Sequence, residues 1–367
     1  MVRYHYGLLL VVGMLFLGSC QSMEQLSIDY MLPAEVSFPP ALKRVGVVNN
    51  MPDVPDNKLI VSEEDQKKDK DELTRLTNYY NGDAKITTES LAEALANENY
   101  FNEVVICDSA LRSKDITPRE ATLSPEEVNE LIQDLDVDFL IALENIQMSS
   151  IRKISFLREW GVYYGSVDVK VYPSVKVYLP NRKGPMVTVN SNDSIFWEET
   201  GSGEASLRAR LVSENDLIKE ASEFAGTVPV KHLLPHWKTA DRFLFTGGSV
   251  NMRDAAIYAK EKNWPEAVKL WKQNFETKKG KQKIYSAYNI AVGYEMQDSI
   301  DAAAEWISKA QSIARKISKI DEKEKGEISE GTLSNYIFIS LYADELKERK
   351  EGMMRLNAQM NRFNDDF

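Results

Sequence analysis

The chain has 367 residues, with 45 Lys and Arg against 56 Asp and Glu, and a formal net charge of −11 at pH 7. That balance excludes nucleic acid as an expected partner, because neutralising a phosphate backbone needs basic clusters. With 43% hydrophobic residues the chain can bury sizeable cores, and its length points to two domains or more. Only Cys20 and Cys107 carry thiols, so an internal disulfide framework is not expected.

Residues 1–19 open with Arg3 and an apolar run from Leu8 to Leu17, then Leu17-Gly18-Ser19-Cys20 and polar Gln21-Ser22. An apolar run of about ten residues is too short for a permanent membrane helix, which needs about 20. A basic start, a short apolar centre and small residues before the cut fit a removed signal. The segment resembles a bacterial lipoprotein signal. The resemblance implies cleavage before Cys20, diacylglycerol on its thiol, and hence the membrane as a partner. Two acyl chains anchor a protein stably where one does not. Gln21 to Gln25 lack a dense acidic run, so the expected place is the outer membrane facing the periplasm. Residues 20–41, with Pro33, Pro39 and Pro40, read as a stiffened tether.

From Arg44 strand and helix signals alternate, and a mixed α+β domain is expected over 42–245. Val45-Gly46-Val47-Val48, ended by Asn49-Asn50, reads as a buried strand. The charged stretch Glu63 to Glu72 reads as solvated loop or surface helix, within a long and mobile segment. Thr88 and Glu89 precede a helix face of Leu91, Ala94 and Leu95, and Phe101 to Ile106 reads as a second strand. Ser124-Pro125-Glu126-Glu127 is a capping box ahead of Val128, Leu131, Ile132 and Leu135. Phe139 to Leu143 is a third buried strand, and this order favours parallel pairing with right-handed crossovers.

After Trp160 the period becomes two. Val167, Val169, Val171, Val175, Val177 and Leu179 mark a buried face, and Asp168, Lys170, Ser174 and Lys176 a wet one. Pro180 to Gly184 is a turn, and Met186–Val189 and Ser194–Trp197 return as antiparallel strands. Ser213 caps a further helix carrying Leu217, Ile218, Ala221, Phe224 and Ala225, closed by Pro229 and Pro235.

Residues 246–367 read as all-α with an internal repeat. Asn263-Trp264-Pro265-Glu266-Ala267-Val268-Lys269-Leu270-Trp271 aligns with Asp298-Ser299-Ile300-Asp301-Ala302-Ala303-Ala304-Glu305-Trp306, an offset of 35 residues. The pattern resembles tetratricopeptide repeats, whose unit is about 34 residues with small residues where paired helices cross. A generic helical hairpin bundle shares much of it. A degenerate third unit is expected over Glu327 to Phe363, after the charged break Asp321 to Gly326.

Taken with Lys43 to Asn49, Pro235-His236-Trp237 and the helical repeats, the lipid signal resembles an uncharacterised family of bacterial envelope lipoproteins. The resemblance is architectural and carries no known activity or catalytic residues. The α/β part is more distantly similar to periplasmic domains of envelope-complex lipoproteins, curli-secretion-type subunits included.

The chemistry in the sequence is thin, so no enzyme activity, cofactor or metal is expected. His232 and His236 are four apart, but Pro235 lies between them and no Glu follows His232. His236 and Trp237 read as packing residues, and Asp136 and Asp138 as turn formers at a strand start. Gly247-Gly248 lacks the Lys of a phosphate loop. Cys107 reads as a small apolar residue at a strand end. The expected role is a lipid-anchored scaffold or adaptor that binds a protein through its helical repeats. The alternatives are a subunit of an oligomeric envelope secretion or assembly complex, and a hydrolase of envelope polymers.

Overall fold

A computed structural model describes residues 23–52, 58–62, 72–113, 122–318 and 330–363. Cys20, residues 1–19, nearly all of the charged stretch 63–72 and the break 321–326 lie outside the described residues. A sheet-rich region covers 23–245 and a helical region 250–360. Among the described residues, the contacts divide the chain into a sheet unit, 33–236 with 358–363, and a helical unit, 23–32 with 237–357.

The expected tether over 20–41 does not hold at 23–38. Strand β1 (Met23–Leu32) pairs with β10 (His236–Phe245) in a two-stranded sheet. Ala34, Val36 and Phe38 are then buried in the sheet unit, so the prolines of this segment punctuate folded chain. The side-chain amide of Gln359 holds this stretch, accepting from Ala34 N (3.0 Å) and donating to Val36 O (2.9 Å).

In the sheet unit, β2 (Arg44–Pro52) lies between two parallel neighbours, β5 (Glu103–Arg112) and β6 (Phe139–Leu157). The connections are helices α1 (Ala84–Asn97) and α2 (Pro125–Leu135). Val45, Val47, Phe139 and Ile141 pack with Leu91 and Leu95 of α1, and Val48, Leu140 and Ala142 with Val128 of α2. Burial on both faces is the reason these strands read as continuous apolar runs. The capping box of α2 is formed as expected from Ser124 and Glu127.

The segment after β2, expected as a mobile loop, carries strands β3 (Lys58–Ser62) and β4 (Glu72–Asn81). Strand β6 is long enough to hold β2 along 139–143 and β4, antiparallel, along 147–155 of the same edge. Its other edge pairs with β7 (Val162–Tyr178), which carries β8 (Val187–Asn190) and β9 (Asp193–Gly201). Helices α3 (Glu204–Arg210), α4 (Glu214–Thr227) and α5 (Val230–Leu233) complete the cover, with Leu207, Leu217, Ala221 and Leu233 fully buried beside Val167, Val169 and Val171.

A β-bulge in β6 keeps the apolar face in register. Leu143 pairs with Val175 and Asn145 with Ser174, leaving Glu144 as the extra residue. Buried positions accordingly run 139, 141, 143 before the bulge and 146, 148 after it. A single extra residue reverses the side-chain parity of everything beyond it.

The helical unit contains α6 (Val250–Lys260), α7 (Trp264–Thr277), α8 (Lys281–Glu295), α9 (Ile300–Ser318) and α10 (Glu330–Met360), with short turns at 261–263, 278–280 and 296–299. Ala255, Ala267, Ala287, Ala291, Ala303 and Ala310 are fully buried where helices pack. Gly293 brings α8 close to α7: a Cβ there would lie 2.6 Å from the Val268 side chain. The expected third helix pair is instead one uninterrupted helix, α10, followed by a 3-10 turn over Asn361–Phe363. Its apolar residues Ile339, Tyr342 and Leu346 all point into the one core.

Candidate functional site

The sheet unit concentrates buried polar side chains at the carboxyl ends of its parallel strands. Connections leave β2 towards β5 over one face and return to β6 over the other, and such a reversal opens the crevice where open α/β sheets hold ligands. The bulge aims Glu144 at this point. Its side chain is fully buried, with Oε1 accepting from the Tyr178 hydroxyl (2.7 Å) and Oε2 from Asn50 Nδ2 (2.9 Å). Lys176 Nζ lies 3.6 Å from Oε2. Arg112 Nε donates to Asn50 Oδ1 (3.0 Å), and its guanidinium pairs with Glu127 at 2.9 Å.

Burial pushes the Glu144 carboxyl above its ordinary range, against the pull of Tyr178, Asn50 and Lys176. Burial and the bond to Glu144 together push the Tyr178 phenol far up, so it stays a donor. These groups satisfy one another, so the cluster pins β2, β6 and β7 together and holds a proton-binding group out of water. The sequence placed Lys176, Ser174 and their face in water. They are buried, at 7% exposure each, because the α2 layer covers this end of β7, whereas Asp168 and Lys170 beyond it are exposed.

The helical unit has its own buried charge network. Arg242 of β10 forms a two-pronged pair with Glu295 (2.7 and 2.9 Å), whose carboxylate also accepts from Arg349 (3.0 Å) and Tyr342 (2.6 Å). Glu345 takes Arg242 (3.0 Å), Lys238 (2.9 Å) and the Tyr30 hydroxyl. Burial pushes the Glu345 carboxyl up, but its partners Tyr30, Lys238 and Arg242 bring it below its usual range. Every carboxylate oxygen here has a donor, so the network fastens β1 and β10 to α8 and α10.

Two open clefts lie between helices of this unit. One, about 780 Å³, is bounded by α9 and α10 and mixes Ala304, Ile307 and Ala343 with Glu305, Asp344 and Lys347. The other, about 510 Å³, lies along α7 and the end of α8, lined by Pro265, Val268, Lys269, Lys272, Tyr294 and Gln297.

Of the residues singled out in the sequence, Cys20 lies outside the described residues. Cys107 is half-buried inside β5, which runs on to Arg112, rather than at a strand end. His232 bonds Glu35 (2.8 Å) and His236 faces the Leu234 carbonyl (3.4 Å). Trp237 is 66% exposed, contrary to the expected packing role. Asp136 adopts a left-handed conformation (φ 54°) as the C-cap of α2 and pairs with Arg44, while Asp138 accepts from the backbone of Lys43 (2.7 Å) and Arg44 (2.8 Å). Among the described residues, no group of three or more His, Cys, Asp or Glu is placed to hold a metal ion. Sequence reasoning missed Glu144, Tyr178 and Asn50; the available signal was a carboxylate directly after five fully apolar strand residues.

Two family models match the chain. Domain of unknown function (DUF6340) matches residues 253–348 and Domain of unknown function (DUF8603) residues 42–245. No curated protein and no solved structure matches it. As the second of these models covers more than half of the chain, the protein belongs to the family of unknown function DUF8603.

Proposed function

We propose that the chain is a lipid-anchored adaptor of the bacterial cell envelope that holds a protein partner through its helical unit. What supports this reading is the pair of open clefts between successive helices of that unit. Helices α6 with α7, and α8 with α9, read as two tetratricopeptide-type units, each joined by a short turn and packed through alanines. Stacked pairs bury one face and leave grooves that accept a segment of another protein. The anchor is the diacylglycerol on Cys20, which confines the partner to the membrane surface. Among the described residues, no helix is long and apolar enough to cross a membrane.

The alternative, a subunit of an oligomeric secretion or assembly complex, draws on the long β6–β7 hairpin with Trp160, 74% exposed, at its turn. The apolar face of that hairpin already packs under α3 and α4, which favours the adaptor.

The test combines labelled palmitate with detergent capture of the full chain. The parent is expected to be labelled, to fractionate with membranes, and to bring down one recurring protein whose recovery falls when cleft residues are changed. An unlabelled parent, or a Cys20→Ala form that fractionates like it, overturns the anchor. Recovery unaffected by every cleft substitution overturns the adaptor.

A further inference from the structure

The cleft along α7 and α8 carries a cation, Lys272, with no counter-ion among the described residues. Lys272 is half-buried, and its ammonium donates to the Tyr294 hydroxyl (2.6 Å) while lying 5.0 Å from the centre of that ring and 5.9 Å from that of Trp306. Among the described residues no carboxylate pairs with it. Glu305, which feels its charge, is bonded to Lys309 (2.6 Å), and Lys269 is matched by Glu266 (2.9 Å). No acidic side chain lines this cleft, and Pro265, Val268 and Tyr294 give it an apolar wall.

A half-buried ammonium held by rings and a hydroxyl loses part of its hydration without gaining an ion pair. An incoming carboxylate would supply that pair as a charge-assisted bond in a partly desolvated site. The volume of about 510 Å³ is in the range that encloses a few side chains.

From this juxtaposition we propose that the cleft binds an acidic peptide segment of the partner protein, with an Asp or Glu on Lys272 and a neighbouring apolar side chain against Pro265, Val268 and Tyr294. This rests on the adaptor reading and names the chemistry of what the adaptor holds. Lys269 sits beside the site and steers, but its own acid Glu266 makes it the lesser contributor. Salt screens such an interaction, so affinity falls as ionic strength rises.

The test is fluorescence anisotropy on the full chain in detergent, with an end-blocked, dye-labelled peptide alternating Glu with Leu and Phe. Its Gln counterpart, its Lys counterpart and phosphatidylglycerol vesicles are the comparison probes. The Glu peptide is expected to bind, the Gln peptide about tenfold or more weakly. Lys272→Gln is expected to weaken the Glu peptide by a similar factor while leaving the Gln peptide unchanged, and Lys272→Arg to keep most of the affinity. Circular dichroism confirms that the variants fold. Equal affinity for Glu and Gln peptides, an effect of Lys272→Gln on both alike, binding of vesicles alone, or binding of no probe overturns the proposal. A partner captured by the chain but insensitive to Lys272→Gln defeats this inference and leaves the adaptor reading standing; a parent chain that captures no partner defeats the adaptor itself.

Discussion

Replacing Glu144 by Ala removes the acceptor that three buried groups share. Lys176 loses its ion-pair partner with only 9% of its side chain exposed, and the Tyr178 hydroxyl and Asn50 amide each lose the bond to Glu144. Stranding one member of a buried ion pair costs about 3–5 kcal/mol, and each unpaired neutral donor about 1–3 kcal/mol. The loss should therefore reach at least about 4 kcal/mol. Lys176→Met on its own leaves Glu144 with two neutral donors and should cost less. The double variant Glu144→Ala with Lys176→Met removes both charges, so it should be more stable than Glu144→Ala, with a coupling energy of about 2 kcal/mol or more. Urea midpoints followed by circular dichroism measure all three. The pH dependence gives an independent arm. Burial raises the folded Glu144 value above the unfolded one of about 4.3, so between the two values the folded chain binds more protons and stability falls as pH rises. Glu144→Gln should remove that slope. A Glu144→Ala variant within about 1 kcal/mol of the parent, or strictly additive effects of the two sites, would refute the reasoning.

Other variants test the packing. A Cβ on Gly226 would lie 2.6 Å from Thr87 O and 2.7 Å from Leu91 N, backbone atoms of α1 that cannot swing away; Gly226→Ala should cost about 2 kcal/mol, roughly 4–8 °C in Tm by calorimetry. Arg242→Met leaves the fully buried Glu295 with Arg349 and Tyr342 alone, and should lower stability in urea by about 3 kcal/mol. Ending the chain at Asn357 strips the Gln359 bonds from Ala34 and Val36 and the Arg362 guanidinium from the Tyr100 ring (4.2 Å). Amide exchange at 34–38 should then rise well above that in β7.

The elements were legible where one physical signal dominated. The capping box at Ser124, the apolar runs of β2 and β6 and the valine alternation of β7 each correspond to an element with the burial those patterns require. The limits of those signals are equally specific. Periodicity reports that one face of β7 is covered, but not that a helix covers part of the other, so Lys176 read as wet. Nothing local announces that residues 23–32 pair with 236–245, because that partnership is set by a strand more than two hundred positions away. Alanines and tryptophans matched across the offset of 35, yet Trp271 is fully buried and Trp306 only half, since each meets a different neighbour. The Glu144 site was hidden by the bulge: read as a plain strand, the segment ends at Leu143, and only the extra residue brings the carboxylate to Tyr178 and Asn50. Lys272 was likewise unremarkable in sequence, one of many lysines, until Tyr294 and Trp306 gathered around it.

Photo-crosslinking in living cells most directly tests whether the helical unit holds the partner. A photoreactive residue is placed at Gln273 beside the α7–α8 cleft, at Ser308 in the α9–α10 cleft, and at Phe196 on the exposed face of β9 as reference. One discrete adduct from Gln273 or Ser308, with the same protein identified in each experiment and none from Phe196, is the expected result. Adducts from Phe196 alone would contradict it and move the binding surface to the sheet unit.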